Sequence, residues 1–249
     1  MPANTGTSET LADYRTFTAF GLGDMFPKVK LCKITVDEGR EWIGTMMDYA
    51  EGIYPLNLKE GLKDAISTKT QKILVNLHVL DAICFEKDHK PGNYNIVTDD
   101  GFIVNISVFD NDCPWTFFPS FSPNFSNYDK SSTIIKNGQM NVPCIDERFA
   151  ERILGVEAEE LKGALEPYLN RIQIAALLSR LEKIKRAILK SIENEDSFII
   201  RLGKEWPKAT MLEEIQTDRW GNSYLKILSN RWEFIKENYP WVLKNHNLI

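Results

Sequence analysis

Two short polar segments contain the residues of this sequence that are best suited to metal and phosphate chemistry. Asp88 and Asn93 lie five positions apart in the first segment, and Asp110 and Asp112 lie in the second. Carboxylate and amide oxygens are the hard ligands that Mg²⁺ prefers in proteins. Phosphoryl transfer needs such ligands to hold Mg²⁺ on nucleotide phosphates, together with a carboxylate that orients the acceptor hydroxyl. These residue types therefore indicate a metal-dependent phosphoryl-transfer site.

A helix and a β-hairpin are predicted to position the two segments. Thr68 to Phe85 has apolar residues at helical spacing and ends at the first polar segment. Tyr94 to Thr98 and Phe102 to Phe109 alternate as strands do, and the Asp99-Asp100-Gly101 sequence between them is a strong hairpin signal. A tight hairpin places the start of its first strand beside the end of its second strand. The polar side chains of both segments can therefore converge at that end.

Each polar segment also has a purely conformational explanation. Asp, Asn, Gly and Pro form turns because of their backbone preferences, and an Asp-Asn pair often only ends a strand. The connection of the two segments by one hairpin, after an apolar helix, favours a metal site over turn chemistry alone.

The first part of the chain is predicted to form a helix followed by another hairpin. Thr10 to Phe20 has a helical period, with Ser8 as its N-cap and Gly21 to Gly23 as its end. Val29 to Val36 and Trp42 to Tyr49 are predicted to be the two strands of the hairpin.

The second half of the chain is predicted to be mainly helical. Residues 113–145 are rich in Pro, Ser, Asn and aromatic residues, which indicates a long loop that either has a function or packs onto the core. A basic run from Arg180 to Lys190 is expected to be a solvated helix face. The predicted helices cover residues 146–154, 157–168 and 170–192, with a further one near 222–237.

Composition and charge exclude several classes of function. The 249-residue chain has a formal net charge of −5, which argues against a general nucleic-acid binder because such proteins present a basic surface. No stretch has the length of a membrane span and no apolar signal core is present, so a cytoplasmic protein is expected. Three histidines and four widely separated cysteines argue against a zinc site. No P-loop, dinucleotide-binding or nucleophile-elbow motif occurs.

The two polar segments resemble the catalytic core of atypical kinases. The sequence Asp88-His89-Lys90-Pro91-Gly92-Asn93, a hairpin and then Phe109-Asp110-Asn111-Asp112 is similar to motifs of phosphatidylinositol 3/4-kinase-like enzymes, HipA-like toxin kinases and the actin-fragmin kinase. The resemblance implies ATP and Mg²⁺ as cofactors. It implies that Asp88 is the catalytic-loop aspartate, with His89 and Lys90 beside it in the catalytic loop. It also implies that Asn93 and Asp110 are metal ligands, with Asp112 assisting.

The resemblance extends over roughly residues 9–190. The helix with Glu9 and Tyr14, followed by residues 21–27, looks like the entry that carries the ion-pairing glutamate of these kinases. Residues 44–52 look like the strand and hinge that run past the adenine. The resemblance therefore implies that four residues bind the nucleotide cofactor: Glu9, Met47, Asp48 and Tyr49.

The sequence departs from the kinase pattern before Glu9, because no glycine-rich loop and no phosphate-pairing lysine precede it. Four explanations stay open: a minimal kinase, a fragment of a longer product, a split enzyme completed by a partner chain that supplies N-lobe elements, or an inactive relative. The expected fold is α+β and protein-kinase-like. Residues 1–52 are expected to form a reduced N-lobe (helix plus hairpin) and hinge, and residues 53–249 a mostly helical C-lobe.

The expected function is ATP- and Mg²⁺-dependent phosphoryl transfer to a hydroxyl. A protein Ser/Thr acceptor is favoured over an inositol lipid because the chain is acidic overall and lacks a basic membrane patch. Two alternatives remain. The first is an inactive pseudokinase or partner-dependent scaffold that binds through residues 113–128, and the second is an AMP-transferring enzyme on a kinase fold.

Overall fold

The computed structural model describes a protein of mixed α and β structure. The described residues are 5–36, 39–54, 68–84, 93–109, 135–136, 139–140, 145–194 and 199–200, with the single positions Glu237, Pro240 and Lys244. In these ranges the helices are α1 (Thr5–Ala19), a 3₁₀ turn (Gly23–Met25), α2 (Thr68–Cys84), α3 (Glu147–Gly155), α4 (Ala158–Leu165) and α5 (Arg171–Asn194). The strands are β1 (Val29–Val36), β2 (Arg40–Met47), β3 (Tyr94–Asp99), β4 (Phe102–Val108), β5 (Ile135–Lys136), β6 (Gln139–Met140), β7 (Ile145–Asp146) and β8 (Ile199–Ile200).

The strands pair in twos. β1 pairs with β2, β3 with β4 and β5 with β6, each antiparallel, whereas the short strands β7 and β8 are parallel. This arrangement confirms the predicted α+β class, both predicted hairpins and the helices predicted at 68–85, 146–154, 157–168 and 170–192, with small shifts at their ends. The expected kinase-like fold and the boundary between residues 52 and 53 stay predictions.

The start of the first helix differs from the prediction. α1 begins at Thr5, so Ser8 lies inside the helix and is not its N-cap. The helix ends as predicted at Gly21, which has a φ of +70°. The Leu22 amide donates to the Phe17 carbonyl at 2.8 Å, and the Gly21 amide donates to the Thr18 carbonyl at 3.0 Å. This Schellman pattern ends the helix by satisfying two carbonyls of its last turn.

Among the described residues, one apolar cluster joins α1, α2, the β3–β4 hairpin and the helices α3, α4 and α5. α5 contributes the predicted amphipathic stripe, whose members are at most 4% exposed: Ile174, Leu177, Leu181, Ile184 and Ile188. The hairpin contributes one apolar face, whose members are at most 1% exposed: Tyr94, Ile96, Ile106 and Val108. α2 contacts both β4 and α5, so it lies between the hairpin and the longest helix.

The basic run on α5, expected to be a solvated face, is solvated only in part. Arg180 is 1% exposed, and the Lys185 ammonium is partly buried and donates to backbone carbonyls of Leu154 and Val156. Arg186 fits the expectation, because it is exposed and pairs with Glu182 one turn earlier. Two cations of the run therefore hold other parts of the fold.

The β1–β2 hairpin carries apolar side chains on both of its faces. Leu31 and Ile43 lie on one face and Ile34 and Met46 on the other, as the strand register requires. All four are between 47% and 61% exposed. α1 contacts both strands, so it supports the hairpin from one side.

None of the described helices is long and apolar enough to cross a membrane. The helix predicted near 222–237 lies outside the described residues apart from Glu237, and most of the loop predicted at 113–145 also lies outside them.

Candidate functional site

The register of the β3–β4 hairpin places Asn93, one of the predicted metal ligands, at the end opposite the turn. Tyr94 is paired with Val108, and the Phe109 amide donates to the Asn93 carbonyl at 2.9 Å. At the other end, Asp100 and Gly101 have φ values of +48° and +80°, which is the left-handed backbone of a two-residue hairpin turn. Asn93 is therefore directly opposite the residue that precedes Asp110 in the chain, as the sequence predicted.

The two faces of this hairpin differ in chemistry. One face is the apolar face in the core, and the opposite face carries Asn93, Asn95 and Ser107, which are only 2–7% exposed. Asn95 is paired with Ser107, and Asn93 is two residues before Asn95, so the three side chains share a face. Buried polar side chains need hydrogen-bond partners, which makes this face a place where polar groups converge.

Asn95 and Ser107 were missed by the sequence analysis. The only sequence feature that marks Asn95 and Ser107 is their alternation with the apolar residues Tyr94, Ile96 and Ile106 along the strands. Such alternation normally marks a solvated face, because most antiparallel sheets are covered on one side only. The low exposure of these residues therefore results from tertiary contacts that the pattern does not reveal.

The segment that follows β2 is fastened to β3. The Ile53 amide donates to the Ile96 carbonyl at 2.8 Å, and the Ile96 amide donates to the Ile53 carbonyl at 2.9 Å. The Asn95 side-chain amide donates to the Ala50 carbonyl at 2.8 Å. Three hydrogen bonds thus hold residues 50–53 against the strand that follows Asn93.

Gly52 is required at this junction. It has a φ of +104°, and a Cβ atom there would overlap the carbonyl oxygen of Ile96 and lie 2.7 Å from the Ile96 carbonyl carbon. Any side chain would push the segment away from β3. The close approach of the two backbones therefore depends on glycine.

Three of the four residues predicted to bind the nucleotide, Met47, Asp48 and Tyr49, lie just before this junction. Met47 is the last residue of β2 and is 42% exposed, while Tyr49 is 87% exposed. The Asp48 amide donates to the Lys28 carbonyl at 2.9 Å, which continues the β1–β2 hairpin by one residue. The fold thus links residues 47–49 to the β3–β4 hairpin through the Ala50–Ile53 junction.

The 3₁₀ turn that follows α1 contacts β4 of the hairpin. Asn105 on β4 donates from its side-chain amide to the Asp24 carbonyl of the 3₁₀ turn at 3.2 Å. Glu9 is in the second turn of α1, but its side chain is outside the described part of the structure. Asp13, one turn later, is 1% exposed. Asp13 has no motif that would single it out in the sequence, although it is a buried carboxylate on α1.

The remaining predicted site residues lie outside the described residues. They are Asp88, His89 and Lys90, which fall between α2 and β3, and Asp110 and Asp112, which follow β4. Their roles stay predictions. Among the residues that the structure describes, no three His, Cys, Asp or Glu side chains cluster as metal ligands would.

The end of α2 at Cys84, four residues before Asp88, is held by a buried cation. Arg180 Nε donates to the Ile83 carbonyl at 2.7 Å, and Nη2 donates to the Cys84 carbonyl at 3.4 Å. Burial lowers the pKa of Arg180 to about 10, an effect that the nearby Cys84 partly opposes. The guanidinium therefore stays charged at neutral pH.

No model of a known protein family matches this chain, and no curated protein sequence matches it.

Proposed function

We propose that this protein is a kinase-like phosphotransferase that uses ATP and Mg²⁺ and acts on a hydroxyl group. The observation that carries the proposal is the place of Asn93, opposite Phe109 and next to the junction with residues 50–53. Phe109 directly precedes Asp110. An amide oxygen and a carboxylate at one end of a hairpin suit a magnesium site, and the attached segment offers a surface for the nucleotide base.

Each predicted residue has a role in this proposal. Asn93 and Asp110 would hold Mg²⁺, with Asp112 assisting, and the ion would neutralise charge on the nucleotide phosphates. Asp88 would orient the acceptor hydroxyl, with His89 and Lys90 beside it in the same loop. Asn93 fits the role of ligand because its amide oxygen belongs to a polar face that is shielded from bulk water.

The base of the nucleotide would lie along residues 47–49. Met47 and Tyr49 have accessible side chains, and the neighbouring backbone is fixed to β3. The carboxylate contributed by α1 would be either Glu9, as the resemblance implies, or Asp13, which is buried on the same helix. A protein Ser/Thr acceptor is favoured over an inositol lipid because the chain has a net charge of −5.

Calorimetric titration with ATP, with and without Mg²⁺, tests the proposal. Wild type is expected to bind ATP in a Mg²⁺-dependent manner, and Asp110→Ala is expected to lose that dependence. Asp99→Ala is the matched control, because it removes an exposed aspartate at the opposite end of the same hairpin. Equal Mg²⁺-dependent binding by wild type and Asp110→Ala would contradict the assignment of the metal site.

A partner-dependent or inactive kinase-like scaffold is the second candidate. The exposed apolar residues on both faces of the β1–β2 hairpin favour it, because a two-stranded hairpin is marginally stable by itself and apolar patches often bind partners. This candidate predicts that the folded chain alone transfers no phosphate from radiolabelled ATP to protein acceptors or to inositol-lipid vesicles. Transfer to either acceptor class by the purified chain would remove it.

A further inference from the structure

Arg180 connects α5, the longest of the described helices, to the end of α2 across the core. Its guanidinium donates to the carbonyls of Ile83 and Cys84, at 2.7 and 3.4 Å. Both of these residues and Arg180 itself are at most 2% exposed. The contact is therefore closed to water, and the donors for these carbonyls must come from the protein.

The physical chemistry of helix ends explains why a cation lies at this point. The last four carbonyls of an α-helix have no donor within the helix, and their dipoles make the end partly negative. At a buried end, a missing donor leaves a carbonyl desolvated and unsatisfied. A guanidinium supplies several donors in one rigid group, so it can hold two successive carbonyls in a fixed direction.

A second cation on the same helix provides an internal comparison. Lys185 donates to the carbonyls of Leu154 and Val156, at 3.1 and 2.5 Å. These carbonyls belong to the end of α3, and the chain then continues directly into α4. α5 therefore holds two helix ends in the same chemical way. Only the end held by Arg180 leads into the segment with Asp88 and Asn93.

We propose that Arg180 is a positioning residue for the loop that joins α2 to β3. By fixing the carbonyls of Ile83 and Cys84, it sets the point and direction at which the chain leaves α2. The other end of that loop is fixed by the hydrogen bond between Phe109 and Asn93. Cys84 and Asn93, which flank residues 85–92, are thus both held by described contacts. The link to catalysis rests on the proposed function, whereas the link to loop geometry does not.

The test compares Arg180→Met with Lys185→Met. Both variants remove one buried or partly buried cation from α5 and both leave two carbonyls of a helix end without that donor. Hydrogen exchange of the peptide from the last turn of α2 to residue 92 is expected to be roughly tenfold faster in Arg180→Met and unchanged in Lys185→Met. Mg²⁺-dependent ATP affinity is expected to fall roughly tenfold or more in Arg180→Met alone, at a temperature where both variants are folded.

Wild type gives a second measurement in case Arg180→Met does not fold. The amides of Ala82 to Cys84 are expected to be protected nearly as well as those in the middle of α2, because a held helix end does not fray. Exchange typical of a frayed end in wild type, or equal exchange in the two variants, would overturn the positioning role. Absence of ATP binding by wild type would overturn the proposed function and leave the exchange result to decide the role of Arg180 in loop geometry.

Discussion

Substitution of Gly52 by alanine tests whether the segment after β2 is held against β3 as closely as the structure describes. Gly52 has a φ of +104°, and its Cα faces the backbone of Ile96. A Cβ atom would lie 2.7 Å from the Ile96 carbonyl carbon, which is closer than real Cβ contacts. Because the obstacle is backbone and not a flexible side chain, the segment itself must move.

The magnitude follows from two contributions. An L-residue held in a sparsely populated backbone region costs about 1–3 kcal/mol. Displacement of the segment also weakens the two hydrogen bonds between Ile53 and Ile96, at about 1 kcal/mol each when lost. We expect Gly52→Ala to lower the free energy of unfolding by about 2–4 kcal/mol, since the hydrogen bonds are only partly lost. For a chain of this size the melting temperature would fall by roughly 5–15 °C.

Two other glycines are matched controls, and urea unfolding followed by tryptophan fluorescence is the assay. Gly39 has a φ of +74°, and no atom of the described residues lies within 4 Å of its Cβ position, so Gly39→Ala is expected to cost only about 1 kcal/mol of backbone strain. Gly44 has neither feature, and Gly44→Ala is expected to stay within about 0.5 kcal/mol of wild type. A loss of stability for Gly52→Ala no larger than that for Gly39→Ala would refute the close approach of the two backbones.

Two further predictions concern polar contacts and use the same unfolding assay. Asn95→Leu removes the hydrogen bond to the Ala50 carbonyl and is expected to lower the free energy of unfolding by about 1–2 kcal/mol. Asn105→Leu loses only the exposed hydrogen bond to the Asp24 carbonyl and is expected to change the free energy of unfolding by less than about 0.5 kcal/mol. Equal effects of the two would contradict the importance of the Asn95 contact. Asp146→Asn is expected to cost about 1 kcal/mol, because the Asp146 side chain is 10% exposed in its 2.9 Å ion pair with Lys72, which is itself one-third exposed. Glu41→Gln breaks the exposed ion pair with Lys33 and is expected to change the free energy of unfolding by no more than about 0.5 kcal/mol. A larger loss of stability for Glu41→Gln than for Asp146→Asn would contradict the greater importance of the Asp146 ion pair.

Local sequence signals predicted the α-helices and the two longer hairpins of the described part of the chain, but not the short strands β5 to β8. The Asp100-Gly101 turn fixed the β3–β4 hairpin because both residues adopt the left-handed backbone such turns need. The apolar period predicted α2 and α5 within two residues at either end. The start of α1 was missed because Thr5 to Glu9 are small or polar and add no apolar period, although the backbone there is helical.

The candidate site was predicted in part. The position of Asn93 across from Phe109 follows from the register of the hairpin, so it could be predicted from the sequence. The environment of the face that carries Asn95 and Ser107 could not be predicted, because an alternating strand is the same whether its polar face meets water or another segment. The burial of Arg180 could have been predicted from its spacing, because it lies three residues after Leu177 and four before Ile184 and therefore on the apolar face of α5.

By itself, the sequence determined the pieces of this protein: which stretches become helices, where the two hairpins turn, and which end of the β3–β4 hairpin carries the polar residues. The tertiary structure decided which pieces meet. Asn95 reaches Ala50 across 45 positions, and Arg180 reaches Ile83 across 97. Periodicity reports only which side of an element is apolar over a few turns or residues. The partner of a buried polar group is set by the packing of distant elements, because burial makes a hydrogen bond necessary but leaves its donor or acceptor open.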